Sequence, residues 1–199
     1  MSESNRRERI LAAAERLFQH YGQKKTTMAD IARDVGIGVG SVYLDFPSKE
    51  ALLSELARKR ARAVSTAMER ARAVEPVPAR IAAMLEARVD ALLHVAEEGT
   101  HACELVSCAR TTPGFGADVR AALAVELEVG KRSGELEYRD VEQVLDMIEV
   151  AFTLLSPPYL FRLDPARALD LAHNLAALVV NGLVRRSGPG SNRGPTTNA

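Results

Sequence analysis

The sequence predicts an all-α chain. Apolar residues recur at three- and four-residue steps along most of its length, and alternating strand-like runs are nearly absent. The breaks between periodic segments carry helix-end chemistry, with Ser, Thr or Asp before a segment and Gly or Pro after it. Apolar residues make up 47% of the 199 positions, enough for a sizeable core.

Each helix has its own signature. In residues 6–21, Ile10, Leu11, Ala14, Leu17, Phe18 and Tyr21 form one apolar face, Asn5 with Glu8 supplies a start, and Gly22 a stop. Thr27 and Asp30 form a capping box for a second helix, whose stripe is Ile31, Ala32 and Val35 and which ends at Gly36. A short third helix fits 39–45. It stops at Phe46-Pro47-Ser48, because proline disfavours helix at the residue before it. Ser48 caps a long helix reaching about Val74, with Leu52, Leu53, Leu56, Val64 and Met68 inward, followed by the stiff connector Glu75-Pro76-Val77-Pro78.

Five further helices are expected over roughly 78–96, 100–110, 114–132, 140–156 and 165–186, about nine in all. Asp164-Pro165 opens the last as cap plus first-turn proline. From Ser187 onward the tail is polar and rich in Gly and Pro, and disorder is expected there.

Lys plus Arg and Asp plus Glu balance at 26 each, but unevenly along the chain. Residues 1–62 hold 12 basic and 8 acidic side chains; the remainder hold 14 and 18. A basic front suits a polyanionic partner. No apolar run follows the first charges, and no stretch approaches the length of a membrane span. Two cysteines, Cys103 and Cys108, make no disulfide framework. A cytoplasmic protein with reduced thiols and no membrane partner is expected.

The stretch GIGVGS, Gly36 to Ser41, allows two readings. A dinucleotide loop needs a preceding strand and glycine where Ser41 stands; here the preceding MADIARDV is a capped helix, and no Walker Lys-Ser/Thr pair follows. A turn between two helices fits better. Gly36 can adopt the left-handed conformation, Ile37 can plug the space between the helices, and Gly38 can start the next without crowding. The short helix would then project its N-terminal residues, where a major groove can admit a helix.

With that reading, TTMADIARDVGIGVGSVYLDFPSKEALL resembles the DNA-binding segment of the TetR family of transcriptional regulators. The residues that carry the resemblance are Thr26-Thr27, Ile31-Ala32, Gly36-Ile37, Gly40, Tyr43, Phe46 and Lys49-Glu50 with Leu52. It spans about residues 6–56; the rear half is similar only in length, helix count and the opening Gly134–Asp140. Two positions depart from the pattern. Gly38 stands where the family usually has serine, and Asp45 where it often has His or Tyr. A carboxylate beside DNA would repel phosphates unless it points away or braces a nearby arginine.

The resemblance implies a helix-turn-helix DNA-binding domain at 1–50, a helical regulatory and dimerisation domain at 51–186, and a tail at 187–199. It implies a homodimer on palindromic double-stranded operator DNA, with the helix at 39–45 in the major groove. Gly38, Val39, Gly40, Ser41 and Val42 lie at that helix's front. Ser41 can bond a base edge or phosphate, and Val39 or Val42 can touch a thymine methyl. Thr27, Tyr43 and Lys49 would hold phosphates, Thr26 is a further DNA-binding candidate, and Lys24, Lys25, Arg6 and Arg7 would supply affinity.

The stripe Ala168, Leu171, Ala172, Leu175, Leu178, Val179 and Gly182, with Val144, Leu145, Ile148, Ala151, Phe152 and Leu155 on the preceding helix, suits a four-helix interface or an internal core. The resemblance also implies a cavity for an unknown small-molecule effector. Candidate liners are Met84, Phe115, Met147 and Phe152, though such residues also fill ordinary cores. His101, Glu104 and Cys108 share a helix face and could bind a metal or a polar ligand, or form a redox sensor, although no metal or cofactor is assigned. Four scattered histidines show no nucleophile–base spacing, so no enzyme is expected. A repressor answering to a ligand is the leading reading, and a non-sensing DNA-binding dimer the alternative.

Overall fold

The computed structural model describes residues 3–97 and 117–184. The expected helix at 100–110, with Cys103 and Cys108, and the tail from Ser187 lie outside these residues. The described residues form eight α-helices: α1 Glu3–Tyr21, α2 Met28–Val35, α3 Val39–Asp45, α4 Lys49–Ala71, α5 Val77–Glu97, α6 Ala117–Ser133, α7 Val141–Ala151 and α8 Pro165–Leu183. Two 3-10 turns, Thr153–Leu155 and Leu160–Arg162, join α7 to α8. The chain is all-α among these residues, apart from an isolated bridge pairing Leu136 with Val184. No described helix is long and apolar enough to cross a membrane.

Local chemistry sets most helix ends. Thr27 accepts from the Asp30 amide, and the Asp30 carboxylate accepts from the Thr27 amide at 3.0 Å. The Thr27 hydrogen bonds hold the Asp30 carboxyl below the usual carboxylate range. Ser48 caps α4 through the Ala51 amide, and Asp164 caps α8 ahead of Pro165. Asn5, expected as the first cap, instead lies inside α1, which begins at Glu3. The expected helix 140–156 ends at Ala151, because Phe152 leaves helical geometry at φ −88°, ψ 9°. The last helix stops at Leu183, where its carbonyl accepts from the Glu137 amide at 2.8 Å.

Two apolar clusters form. The front one gathers Ile10, Ala14, Phe18, Ile31, Val35, Val42, Phe46, Leu52 and Leu56 from α1 to α4. The rear one runs from Val64 and Met68 through α5, α6 and α7 to Ala168, Ala172, Ala176 and Val180 of α8. Those alanines, four residues apart, let α5 and α8 approach closely. Because α4 contributes to both clusters, it is the physical link between front and rear. Glu15 of α1 adds a polar tie to it, accepting from Lys59 at 2.6 Å and Arg60 at 3.5 Å.

A buried charge cluster ties the far end of α4 to the rear. Glu126 of α6, only 3% exposed, accepts from Arg72 and Arg80, each at 2.8 Å. Burial pushes its carboxyl up, but hydrogen bonds from Arg80 and Arg72 outweigh that and hold it below its ordinary value. Arg80 also pairs with Glu75 and donates to the Val74 carbonyl at 2.9 Å, so the connector between α4 and α5 is held from both sides.

Candidate nucleic-acid interface

The site is built on the turn between α2 and α3. Gly36 takes φ 75°, ψ 37°, and its amide bonds back to the Ala32 and Arg33 carbonyls. A side chain would be strained in this left-handed conformation, although the space around Gly36 is open. Ile37 then packs partly against the front core, with its amide on the Ala32 carbonyl at 3.0 Å. Arg9 of α1 caps the same end of α2, donating to the Val35 carbonyl at 2.8 Å. The turn is thus fixed from three sides.

Helix α3 is short, and one residue anchors it. Val42 is fully buried among Ile10, Phe18, Ile31 and Phe46. It was expected at the reading front; the structure moves it into the core, where it cannot touch a base. Around it Val39, Gly40 and Tyr43 are exposed, Ser41 is half-buried, and Gly38 caps the helix without a side-chain bond. Leu44, which sequence reasoning missed, is 81% exposed. With Val42 and Phe46 inward, Leu44 is left on the outer side of the helix, a facing that seven residues alone do not reveal.

Thr26 is a second correction. It was expected among the DNA-binding residues, but it is buried, and its hydroxyl donates to the Gly22 carbonyl at 3.0 Å. Thr27 is exposed, and its hydroxyl serves the capping box. Lys24 and Lys25 are exposed on the α1–α2 loop. Lys49 reaches that loop, donating to the Gln23 carbonyl at 2.9 Å and the Thr26 carbonyl at 3.4 Å.

Asp45 braces Arg6. The guanidinium meets both carboxylate oxygens, at 2.7 and 3.1 Å, and Arg7 donates to the Asp45 carbonyl at 2.7 Å while lying 4.1 Å over the Phe46 ring. The Arg6 hydrogen bond, helped by the charges of Arg6 and Arg7, holds the Asp45 carboxyl below its ordinary value. The negative charge that would repel DNA is matched at its source.

In the rear, a cavity of about 380 Å³ lies between α4, α5, α6 and α7. Of the expected liners, Phe152 lines it. Met84 is fully buried in the rear core and is not among the described lining residues, so it serves packing. Met147 is 64% exposed on the outer side of α7, because the inner face there is taken by Val144, Leu145 and Ile148. His101, Glu104, Cys108 and Phe115 lie outside the described residues. Sequence reasoning missed Arg88, Ser65 and Ser156 at this cavity. Arg88 sits three residues after Leu85 and four before Leu92, within one apolar stripe. Among the described residues no His, Cys, Asp or Glu group is placed to hold a metal.

A rigid two-helix turn presenting a short exposed helix is the arrangement of helix-turn-helix DNA-binding proteins. Residues 10–56 match the model of the bacterial regulatory proteins of the tetR family. Residues 10–56 therefore carry a DNA-binding segment of the type that the tetR family model describes.

Among relatives, the HTH-type transcriptional regulator YerO of Bacillus subtilis is 46% identical over 50 residues, covering 25% of this chain and 17% of YerO. The HTH-type transcriptional repressor KstR2 of Mycolicibacterium smegmatis is 42% identical over 55 residues, 28% of this chain and 27% of KstR2. The matched segment thus spans about a quarter or less of either relative. Two solved structures share the fold over most of the chain. The TetR family regulator PfmR from Thermus thermophilus aligns with TM-score 0.60 and 22% identity, over 88% of this chain and 99% of that one. A transcriptional regulator from Cytophaga hutchinsonii aligns with TM-score 0.64 and 21% identity, over 89% and 98%. At these identities the likeness is one of fold alone.

Proposed function

We propose that this chain acts as a homodimeric repressor that binds palindromic DNA through α3 and releases it on binding a small molecule. Residues 1–50 serve as the reading head and 51–186 as the regulatory and dimerising body. The observation that carries this is the polarity of α3: Val42 locks one side into the core while Val39, Gly40, Ser41, Tyr43 and Leu44 face outward. Lys24, Lys25 and Lys49 place positive charge beside it for phosphate contact, with backbone amides at helix N-termini.

One head of this size holds DNA weakly; two, about 34 Å apart, would read successive turns of one duplex face. Exposed apolar side chains on α7, the following turn and α8 suit the pairing: Met147, Val150, Leu154, Leu171 and Leu178. Large exposed apolar patches mark interfaces. Control by a ligand follows if the cavity fits one orientation of α4 better than another, since α4 carries Val64 and Ser65 at the cavity and Lys49 at the head. The function is binding rather than catalysis.

Selection of bound sequences from random duplex DNA tests this. A recovered palindrome whose half-sites lie about one helical turn apart supports it. Recovery of no enriched sequence at low salt would end it.

A further inference from the structure

We infer that the rear cavity takes a small monocarboxylic acid with an apolar body, its carboxylate held by Arg88 beside Ser156. This rests on the ligand-responsive reading above and names the chemistry of the effector. The volume, about 380 Å³, falls within the range of small-molecule sites. Its walls are apolar: Val64, Leu85, Leu92, Leu123, Ile148 and Phe152.

Besides Thr153 and the charged residues of the rim, Arg88, Ser156 and Ser65 bring polar groups into this space. The Arg88 guanidinium lines it and donates to Ser156 Oγ at 2.8 Å. Ser156 is itself buried and donates to the Phe152 carbonyl at 2.9 Å. Ser65 Oγ, on α4, is buried without a hydrogen-bond partner among the described residues. A buried hydroxyl left unsatisfied is costly, so a ligand acceptor reaching Ser65 removes a cost the empty protein carries. A guanidinium presents a planar fork of N–H donors that matches a carboxylate at two points, and low-dielectric walls strengthen the pair.

The rim limits the ligand to one acidic group. Asp118 and Glu149 are exposed lining residues. Arg120 beside them is already engaged by Glu142 and Asp146, each at 2.7 Å, and by Glu149 at 3.4 Å. The open end is therefore acidic, and it disfavours a dicarboxylate or a phosphate-bearing molecule. The carboxylate goes in first, and the apolar body fills the space toward Leu123 and Ile148.

The test uses the full chain and calorimetric titration with octanoate, decanoate and 4-phenylbutyrate, each beside its primary amide. Each carboxylate is expected to bind about tenfold or more tighter than its amide, as one charge-assisted pair provides. Arg88→Met should abolish that preference, and Arg88→Lys should retain part of it. Ser65→Ala should weaken the carboxylates by a smaller factor and serves if Arg88→Met does not fold. Amides binding as tightly as acids, a preference that survives Arg88→Met, or no carboxylate binding at millimolar concentration would each overturn the inference. The same titrations repeated on the DNA complex separate the two proposals. A carboxylate that binds without changing DNA affinity keeps the ligand class and removes ligand control. A different compound that releases DNA, with no carboxylate bound, does the reverse.

Discussion

Arg6 and Asp45, 39 residues apart in sequence, meet in a two-point ion pair that joins the first helix to the end of the proposed recognition helix. The pair puts a carboxylate where phosphates are expected and neutralises it there. Asp45→Asn removes that carboxylate charge, so binding to all duplexes should strengthen and the log–log salt dependence should steepen by about 0.9 for one added phosphate contact. Filter binding across a salt series reads this. An unchanged slope would mean that Arg6 faces away from DNA.

Acidity should leave this pair intact over the neutral range. The Asp45 carboxyl is held below its ordinary value of 3.8, so its contribution to stability is fully present above that value. It is lost only as pH falls through the still lower folded value. The wild-type minus Asp45→Asn difference in stability, from urea unfolding, should stay flat from about pH 5 to 8 and shrink only in stronger acid.

Val42 and Leu44, two positions apart, should behave oppositely. Val42→Ala removes buried methyl groups and leaves a void, costing roughly 2 kcal/mol of stability. Leu44→Ala removes an exposed side chain and should leave stability within about 0.5 kcal/mol, while shifting which bases are preferred in a selection from random DNA. If Leu44→Ala leaves the selected sequence unaltered, Leu44 is not part of the reading surface.

Glu126 should matter for the rigidity of the body. Arg72→Met or Glu126→Gln breaks a buried cluster; removing the carboxylate leaves two arginines without their shared partner, at a cost of about 3 kcal/mol. Since the Glu126 carboxyl sits below its ordinary value, the wild-type advantage exists above that value and fades as pH falls through the folded one. Urea titrations of wild type and Glu126→Gln near neutrality and in acid should show the gap closing.

Local rules and the facing of α1, α2 and α4 were legible in the sequence; the facing of α3 and the division of the α8 stripe were not. The Thr27–Asp30 box, the Ser48 and Asp164 caps and the left-handed Gly36 depend on residues within a few positions, so pattern alone found them. In α3, by contrast, Val39, Val42, Tyr43 and Leu44 surround a helix of seven residues. Two turns carry too little periodicity to show which apolar residue goes inward, and tertiary packing chose Val42. The last helix posed the same problem. Its apolar stripe divides into an inner row, Ala168, Ala172, Ala176 and Val180, and outer residues such as Leu171 and Leu178. Arg88 was hidden because a cation within an apolar stripe reads as a surface residue until a cavity is seen around it.

Those outer residues carry the last prediction. Met147 on α7 is 64% exposed and Leu178 on α8 is 70% exposed, so neither stabilises the isolated fold by burial. Replacing both, as Met147→Arg with Leu178→Arg, should leave the helical content and the monomer's stability nearly unchanged. In a dimer that pairs through this face, the partner would instead bury like charges against one another, which costs far more than a surface substitution. Sedimentation should then show a monomer, and DNA affinity should fall steeply, because two linked heads bind with an effective concentration that one head lacks. A double variant that remains dimeric would place the subunit contact on another face and leave these exposed apolar side chains to be explained by a different partner.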